Sequence, residues 1–372
     1  MLNIEKVEAF VYRCPIQTPV QTSFGIMRDR PALFVRVTDT EGEVGWGEIW
    51  CNFPSVGAEH RARLVDSVFA PLLQGRTYED PQRVFFDMTQ RTAVLAIQCA
   101  EPGPIAQSIA GLDIAMWDLY SRRAGKALWR MLGGTNPTIK VYASGLNPTA
   151  PEVLASESLD EGHRAFKLKV GFGQAVDHAN LQALREVIGN CELMVDANQA
   201  WDLATACVEA KALAKYNLNW LEEPLRADRP WAEWQELASV SPVVLAAGEN
   251  LAGNEAFLNA FKSRALRVVQ PDLAKWGGIS SCLPLAHQIR QSGLHYCPHY
   301  LGAGVGLLAS AHVLAAVGGE GRLEVDANPN PLRSLTCGPL KIITDGFCSL
   351  NEDPGLGISV NTANLREFES RH

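Results

Sequence analysis

Three segments decide the fold of this chain: MVDANQ (Met194–Gln199), WLEEP (Trp220–Pro224) and AAGEN (Ala246–Asn250). In each, a short apolar run ends at an acidic residue, and these residues are Asp196, Glu222 and Glu249. They are separated by steps of 26 and 27 residues, about the length of one strand–helix unit of a (β/α)₈ barrel. Because neighbouring parallel strands end at the same rim of a barrel, we expect the three carboxylates to converge there.

Three carboxylates held close together require a cation, because like charges repel strongly where water is scarce. A ligand set made only of oxygen favours a hard ion such as Mg²⁺. Any one of these acids alone would more often cap a helix or form a salt bridge at a strand end. All three occur in register, however, and Asn198 lies two residues beyond Asp196 on the same face. The spacing therefore predicts one Mg²⁺ per subunit, bound by Asp196, Glu222 and Glu249.

Strand-like runs alternate with helical patterns from about Lys140 onwards. Eight such runs, separated by helical segments, are what a parallel barrel requires. No Gly-x-Gly-x-x-Gly follows the first run, which disfavours a dinucleotide-binding fold. The runs are Ile139–Ala143, Ala165–Val170, Leu193–Val195, Trp220–Leu221, Val243–Ala247, Leu266–Val269, Leu294–Cys297 and Arg322–Val325.

The second run contains two lysines, in the order Phe166-Lys167-Leu168-Lys169-Val170. The two-residue period of a strand places both lysines on one face and the apolar residues on the other. Because helices cover the outside of a barrel, we expect the lysines to point into its lumen. A strand that turns its lysines to solvent is the alternative for this run taken alone. Buried lysines must either meet anions or lose their protons.

Ionisable residues continue along the later strand ends. After Glu249 these ends carry Asp272, His299 and Glu324, at steps of 23, 27 and 25 residues. A carboxylate hydrogen-bonded to an imidazole fixes its tautomer and raises its basicity, as a general base requires. An isolated histidine is more often a satisfied core residue, but the adjacent strand ends favour an Asp272–His299 dyad.

The first part of the chain reads as a separate α+β module. Alternation over Leu33–Val37 and turn residues at Asp39–Gly42 predict a hairpin. The stretch Gln17–Arg30 contains Pro, Gly and Ser without a period, so it is predicted to be a loop. From about Glu59 to Gly134 the apolar period becomes helical.

One apolar stripe in this helical region is formed by Ile109, Leu112, Met116 and Leu119. The pair Gly133-Gly134 is expected to end the run. We therefore predict three parts: a capping domain (residues 1–134), a barrel (residues 135–330) and a C-terminal segment (residues 331–372) that packs on the capping domain.

Composition limits the classes of partner. The 372 residues are 47% hydrophobic and 20% charged, which suits a large globular core. A net charge of −8 argues against nucleic acid and anionic membrane, so an anionic substrate would need locally placed cations. The nine scattered cysteines, never in a C-x-x-C arrangement, suit reduced thiols in the cytoplasm. Neither a secretory leader nor an apolar run of membrane length is recognisable.

Taken together, the motifs resemble the enolase superfamily, specifically its mandelate racemase subgroup. The resemblance covers the whole chain, because SIAGLDIAMWDLYSRRAGKALWRMLGG (residues 108–134) also looks like that family's capping domain. It implies an α/β fold, a modified TIM barrel of the (β/α)₇β type, with an α+β capping domain formed by the N-terminal segment and the C-terminal tail. The matching motifs are Lys-x-Lys at 167–169, the three acids Asp196, Glu222 and Glu249, Asp-x-x-Lys-x-Gly-Gly at 272–278, His299 and Glu324.

The resemblance also implies roles. Lys169 would be one base, and Lys167 would neutralise the substrate carboxylate beside the metal. The Asp272–His299 pair would be the acid/base on the opposite face, and Glu324 would be a protonated hydrogen-bond donor to the enolate. The pKa of Lys169 is expected to be lowered by Lys167 and the metal. Positions lining such sites are matched by Asn198 and Lys275, and the assembly would be a homo-oligomer between dimer and octamer.

These groups can abstract the proton next to a carboxylate and stabilise the resulting enediolate. If a β-hydroxyl then leaves as water, the enzyme is an acid-sugar dehydratase acting on an aldonate or aldarate, which is the function we predict. If the opposite face is reprotonated, it is a racemase or epimerase of a 2-hydroxy acid. A non-catalytic metal-dependent sugar-acid binder is the third hypothesis. A metal hydrolase would more often bring histidine ligands.

Substrate specificity is expected to come from loops of the capping domain that close the barrel mouth. The predicted lid is the stretch 17–30, with a second loop at residues 49–55. Arg28 or Arg30 could grip the distal carboxylate of a diacid, although ordinary surface solvation is the alternative for both. The polar character of these loops favours a polyol over an aromatic hydroxy acid. The lid includes Ser23, Phe24, Gly25, Arg28 and Arg30, and of these Ser23, Arg28 and Arg30 are expected to bind substrate.

Overall fold

The computed structural model describes residues 1–23 and 25–371. The chain begins with an antiparallel sheet, in which the alternating apolar residues of the predicted hairpin are fully buried. These residues pack against the helices that follow and form the core of the capping domain. The strands are β1 (Leu2–Gln21), β2 (Ile26–Asp39), β3 (Val44–Ile49) and the short β4 (Thr77–Tyr78), which pairs with the start of β1.

The prediction that Gln17–Arg30 is a loop was wrong. Strands β1 and β2 continue through most of this stretch, with Val20 opposite Met27 and Gln21 opposite Ile26. A register shift between Pro15 and Val20 hides the two-residue period in the sequence. The segment is therefore part of a long hairpin, and the predicted lid residue Phe24 lies outside the described residues.

The helices of the capping domain pack on this sheet. The predicted stripe Ile109, Leu112, Met116 and Leu119 is buried against it. The helical run does not extend to Gly133, because Gly125 has a φ of +62° and ends the long helix in a left-handed turn. The helices are α1 (Gly57–Leu64), α2 (Ala70–Leu73), α3 (Pro81–Gln98), α4 (Pro102–Arg123) and α5 (Leu128–Met131), with a π-helical turn at Val65–Phe69 between the first two.

A parallel barrel follows, and its strands coincide with the eight predicted runs to within a few residues. The strands are β5 (Thr138–Leu146), β6 (Ala165–Lys169), β7 (Glu192–Asp196), β8 (Leu221–Glu222), β9 (Leu245–Ala247), β10 (Leu266–Val269), β11 (His295–Tyr296) and β12 (Arg322–Asp326). Neighbours pair in chain order from β5 to β11, and β12 pairs with β5, so the barrel is nearly closed.

One helix follows each strand from β5 to β11. In the described part of the chain this gives seven strand–helix units and a final strand, which confirms the predicted (β/α)₇β fold with its capping domain. None of the helices in residues 1–23 and 25–371 combines the length and the apolar character needed to cross a bilayer. The barrel helices are α6 (Pro151–Asp160), α7 (Gln174–Ile188), α8 (Leu203–Leu213), α9 (Trp231–Val240), α10 (Asn254–Ser263), α11 (Gly278–Gln291) and α12 (Gly304–Val317).

The C-terminal segment touches both other parts of the molecule. It contains α13 (Pro331–Thr336), β13 (Phe347–Ser349) and β14 (Glu369–Ser370). Strand β13 pairs with barrel strand β5, and β14 pairs with β1 of the capping sheet. The division of the chain into three domains at residues 134 and 330 stays a prediction.

Two buried acids of the capping domain cap two barrel helices. Asp113 of α4 accepts hydrogen bonds from the backbone and hydroxyl of Ser280, at the start of α11. Glu48 of β3 accepts from the backbone N–H groups of Ala303 and Gly306, at the start of α12. A carboxylate at a helix N-terminus satisfies its free N–H groups. The capping domain is thereby fixed to the helices that follow β10 and β11, the strands preceding Asp272 and His299.

Candidate active site

The strand period places both lysines inside the barrel. Phe166 and Leu168 of β6 pack among the core residues shared with the outer helices, whereas Lys167 and Lys169 are almost completely buried on the lumen side. The prediction for this strand is confirmed, and the alternative that the lysines face solvent is wrong. A layer of apolar lumen side chains closes the barrel beneath them and includes Tyr142, Met194, Trp220, Val268 and Cys297.

Lys167 is held between two carboxylates. Its Nζ lies 2.6 Å from Oε1 of Glu222 and 2.7 Å from Oε1 of Glu324. It also lies over the ring of Tyr142, 5.3 Å from the centroid. Burial alone would lower the pKa of Lys167, but the two carboxylates outweigh it and hold that pKa well above its ordinary value. Lys167 is therefore a fixed positive charge at the centre of the site.

Lys169 pairs with the first predicted metal ligand. Lys169 and Asp196 are register partners on β6 and β7, and Lys169 Nζ lies 2.5 Å from Oδ2 of Asp196. Asn198 donates to the same carboxylate from its backbone and side chain, at 2.7 and 3.0 Å. Burial lowers the pKa of Lys169, but Asp196 outweighs both burial and Lys167, so the pKa is raised. The expected lowering of this pKa is not found while Lys169 is paired with Asp196.

Glu222 lies beside Asp196 on the next strand, with the two residues in register. Its Oε1 accepts from Lys167, and its Oε2 accepts from Trp220 at 3.1 Å and from Gln270 at 2.6 Å. Burial, together with the nearby carboxylates of Asp196 and Glu324, raises the pKa of Glu222 to about 7 despite the attraction of Lys167. The negative charge of the carboxylates in the lumen is therefore only partly neutralised by Lys167 and Lys169.

The predicted dyad is present. Nδ1 of His299 lies 2.8 Å from Oδ2 of Asp272, and the other Asp272 oxygen accepts from the backbone N–H groups of Ala274 and Lys275. On its other side, His299 Nε2 contacts Oε2 of Glu249. Burial would lower the pKa of His299, but Glu249 and the other carboxylates raise it well above its ordinary value. In this arrangement His299 is a protonated acid held between two carboxylates.

Glu324 is an acceptor rather than the protonated donor that the resemblance implied. Its Oε1 accepts from Ser144 at 2.5 Å and contacts Lys167, and its Oε2 accepts from the backbone N–H of Tyr300 at 3.0 Å. Burial raises the pKa of Glu324, but Lys167 and then His299 overcome this effect and lower it to about 2. The Lys167 ammonium at Oε1 and the Tyr300 N–H at Oε2 can only donate, so both contacts favour the ionised carboxylate in this arrangement.

The chemistry of the acidic trio suits a hard divalent cation. Asp196, Glu222 and Glu249 are oxygen donors at three successive strand ends, and burial with the repulsion of Asp196 among others raises the pKa of Glu222. Among residues 1–23 and 25–371, no three His, Cys, Asp or Glu side chains are already gathered as a metal site. In this arrangement Asp196 is turned to Lys169 and Glu249 to His299. The trio fits Mg²⁺ by donor type, and its role as a ligand set stays a proposal.

A cavity of about 220 Å³ opens above these groups. Lys275, predicted to line it, donates to Asn250 at 2.8 Å and lies 4.9 Å from the centroid of a Trp50 ring. The lining includes Lys169, Asn198, Glu249, Lys275, His299, Arg30 and Asp326, together with apolar side chains of the capping domain and of Leu301. The cavity therefore brings Lys169 of β6 and the histidine of the dyad to a common space.

The predicted lid residues Ser23, Arg28 and Arg30 lie in three different environments. Ser23 donates to the backbone oxygen of Asn198 at 2.7 Å, so the hairpin tip rests on the end of β7. Arg30 lines the cavity but is buried in an ion pair with Asp326. Arg28 is exposed and is not among the lining residues. Their roles in substrate binding stay predictions.

Sequence reasoning assigned no role to four further groups near the site. Trp220, Gln270 and Ser144 were missed although each lies two residues from another lumen position, which the strand period could have shown. Asp326 also lies two residues beyond Glu324, but its partner Arg30 lies 296 residues away in the chain. No local pattern indicates such a partner.

Two family models match the chain. The model described as "Mandelate racemase / muconate lactonizing enzyme, N-terminal domain" matches residues 6–133. The model described as "Enolase C-terminal domain-like" matches residues 152–364, more than half of the chain. Both matches agree with the resemblance inferred from the motifs.

Curated relatives cover nearly the whole chain or most of it. A 3,6-anhydro-alpha-L-galactonate cycloisomerase from Streptomyces coelicolor is 30% identical over 97% of this chain and 98% of its own. An N-succinyl-L-Arg/Lys racemase from Bacillus cereus is 27% identical over 99% and 98%. An L-talarate/galactarate dehydratase from Salmonella typhimurium is 33% identical over 70% of this chain and 64% of its own. The relatives thus include cycloisomerases, racemases and dehydratases.

Solved structures are similar over their full length. A mandelate racemase/muconate lactonizing enzyme from Bordetella bronchiseptica is 55% identical, with a TM-score of 0.93, over 98% of this chain and 99% of that one. A racemase from Streptomyces coelicolor, crystallised with bound magnesium, is 29% identical, with a TM-score of 0.87, over 99% and 100%. The chain therefore belongs to the enolase superfamily of enzymes and carries the N-terminal domain of its mandelate racemase and muconate lactonizing enzyme family.

Proposed function

We propose that this protein abstracts the α-proton of a sugar-acid carboxylate in an Mg²⁺-dependent reaction and then eliminates the β-hydroxyl as water. The observation that carries the proposal is that Lys169 and His299 both line one cavity, although their strands lie on different sides of the barrel. A base on one side and an acid on the other are what proton removal and leaving-group protonation require.

Asp196, Glu222 and Glu249 would hold the Mg²⁺, one ion per subunit. The ion would supply positive charge to the oxygens of the substrate carboxylate. Lys167, held as a cation, would add positive charge where the enediolate develops. Lys169 can accept the α-proton only as a neutral amine. If the Asp196 carboxylate bound a cation instead of Lys169, the contact that raises the pKa of Lys169 would be lost.

His299 would be the acid of the elimination step. Its contact with Asp272 and the nearby carboxylate of Glu324 do not depend on Glu249, and both favour the protonated imidazolium. That group would donate a proton to the departing β-oxygen as the Cβ–O bond breaks, giving water and an enol that tautomerises to a 2-keto-3-deoxy acid. If the same proton went to the α-carbon, the product would instead be the epimer.

The cavity wall favours a second candidate substrate. Its capping-domain side includes Val20, Met27, Trp50 and Phe53, and Leu301 adds a further apolar group. A ring with C–H faces fits such a wall better than an extended polyol. The relatives also include cycloisomerases of cyclic sugar acids. With a ring oxygen as the leaving group, the same proton transfers would open the ring and give an isomer without loss of water.

The deciding experiment uses a panel of aldonic and aldaric acids and their lactone and anhydro forms, with and without Mg²⁺. We expect at least one acid to give a 2-keto product that a keto-acid reagent detects. In D₂O, a racemase would place deuterium at the α-carbon with inverted configuration and no keto product. Absence of both product and α-proton exchange from every acid would leave only the metal-dependent binder.

The location and assembly are also proposals. All nine cysteines lie in the described residues and all are free thiols, which supports a reducing compartment such as the cytoplasm. We propose a small-molecule carboxylate as the partner and a homo-oligomer, between dimer and octamer, as the assembly. Light scattering of the purified chain would give the number of subunits.

A further inference from the structure

We propose that Trp220 and Gln270 position the carboxylate of Glu222 by donating to one of its oxygens, so that the other oxygen is the one offered to a divalent cation. This inference rests on the proposed function, since it concerns the same Mg²⁺ site. Both are positioning residues, because they act through Glu222 rather than on substrate.

The two carboxylate oxygens of Glu222 have different kinds of donor, neutral at Oε2 and positively charged at Oε1. Indole Nε1 of Trp220 and amide Nε2 of Gln270 both donate to Oε2, at 3.1 and 2.6 Å. Oε1 is held by the ammonium group of Lys167 at 2.6 Å. Two hydrogen bonds use the lone pairs of Oε2. The oxygen whose partner is a cation is therefore the one at which another cation can take its place.

The side chains of Trp220 and Gln270 carry no charge, unlike that of Lys167. A metal ion repels Lys167 but has no such effect on an indole or an amide, so Trp220 and Gln270 can stay in place when the ion binds. Both side chains are deeply buried, at 3% and 1% exposure, and the Trp220 ring packs edge-on against Tyr142 at 5.5 Å. Ligands fixed in this way by hydrogen bonds are pre-organised for the metal.

The orientation of Gln270 supports the same conclusion. Its Oε1 is buried and, among the residues that the structure describes, has no hydrogen-bond partner. A buried amide oxygen without a partner costs free energy. The amide nevertheless presents its NH₂ group to Glu222, whose Oε2 accepts from it at 2.6 Å. The contact with Glu222 thus determines the orientation of the side chain.

The test measures Mg²⁺ binding by titration calorimetry on the metal-free full-length chain. Trp220→Phe keeps an aromatic ring against Tyr142 and removes the N–H, and Gln270→Met keeps the length and removes the amide. Trp129→Phe is the matched control, because Trp129 is fully buried and its indole donates to the backbone oxygen of Asn351 at 3.0 Å in another part of the molecule. We expect Trp220→Phe and Gln270→Met to weaken Mg²⁺ binding about 10- to 100-fold, and the control to bind like wild type.

Thermal unfolding in EDTA separates positioning from folding. A loss of affinity in Trp220→Phe or Gln270→Met that exceeds the loss in Trp129→Phe at comparable stability supports the inference. Wild-type affinity in both site variants, or an equal loss in the control, overturns it. If the wild-type chain itself binds no Mg²⁺, the proposed function fails and the positioning role fails with it. A failure of the positioning role alone can therefore be distinguished from a failure of the proposed function.

Discussion

Lys169 and Asp196 are register partners on adjacent strands, and their charged groups meet at 2.5 Å. The other two predicted metal ligands are also paired with cationic groups, although not across adjacent strands, since Glu222 contacts Lys167 and Glu249 contacts His299. Each acid proposed for the ion is thus paired with a group proposed for proton transfer or charge neutralisation. Binding of a cation would have to separate these pairs, so the cation and the lysines compete for the same oxygens.

This competition predicts that Lys169→Met binds Mg²⁺ more tightly than wild type while losing α-proton exchange. A hydrogen bond to a charged group contributes about 1.5–3 kcal/mol, so removing the competitor should raise the affinity about tenfold or more. Titration calorimetry and exchange of the α-proton in D₂O measure the two effects. The exposed Lys211 of α8 supplies the control variant Lys211→Met. Weaker Mg²⁺ binding by Lys169→Met would show that the lysine does not compete.

A second prediction concerns the charge on Glu324. Gln resembles a protonated acid in shape and charge, so Glu324→Gln should be nearly neutral if the acid is already protonated. Because Glu324 is an ionised partner of Lys167 and an acceptor for Ser144, we expect a loss of about 3–5 kcal/mol, typical of breaking a buried ion pair. Urea unfolding in EDTA measures this loss. Ser144→Ala, which removes only the hydroxyl donor, should lose less stability. An unchanged unfolding midpoint for Glu324→Gln would instead show that Glu324 is protonated, as the resemblance implied.

Glu48 and Asp113, the two acids that cap barrel helices, have raised pKa values, and these predict that the stability of the fold depends on pH. Burial raises the pKa of Glu48 from 4.5 to about 7 and that of Asp113 from 3.8 to about 7, although both accept hydrogen bonds. Since the folded-state values lie above the unfolded ones, folding favours the protonated acids. Their contribution is complete below the unfolded values and is lost as the pH rises through about 7.

Asp113→Asn should therefore gain stability relative to wild type as the pH rises from about 4 to about 7, by up to a few kcal/mol. The asparagine cannot ionise, and its amide can still pair with the backbone and hydroxyl of Ser280. Urea unfolding in EDTA over this pH range measures the difference between variant and wild type, with the exposed Glu255→Gln as control. A difference that does not change with pH would mean that Asp113 keeps an ordinary pKa in the folded chain.

Much of the site followed from local spacing. Lys167, Lys169 and Asp196 were placed correctly in the lumen because a strand alternates its faces and strands of a barrel end at one rim. Those rules depend only on neighbouring residues and on the length of one strand–helix unit. The dyad of Asp272 and His299 followed in the same way.

What the sequence could not show depends on distant partners. The caps formed by Asp113 and Glu48 join residues 167 and 255 or more positions apart, and no period marks them. The ionised state of Glu324 is set by which donors surround it rather than by its place on a strand. The hairpin at residues 17–30 was taken for a loop because the register shift after Pro15 breaks its period.

A final prediction separates the two arginines of that hairpin. Arg30 is 3% exposed and paired with Asp326 at the end of β12, so it ties the hairpin to the barrel. Without Arg30 the buried Asp326 would keep only the longer contact with Arg333, at 3.7 Å, so Arg30→Met should lose up to about 3–5 kcal/mol of stability in urea unfolding. Arg28→Met, on the same strand but exposed, should stay within about 0.5 kcal/mol of wild type. If Arg30→Met were as stable as wild type and raised only the KM for diacids, Arg30 would be a substrate-binding group rather than a link between hairpin and barrel.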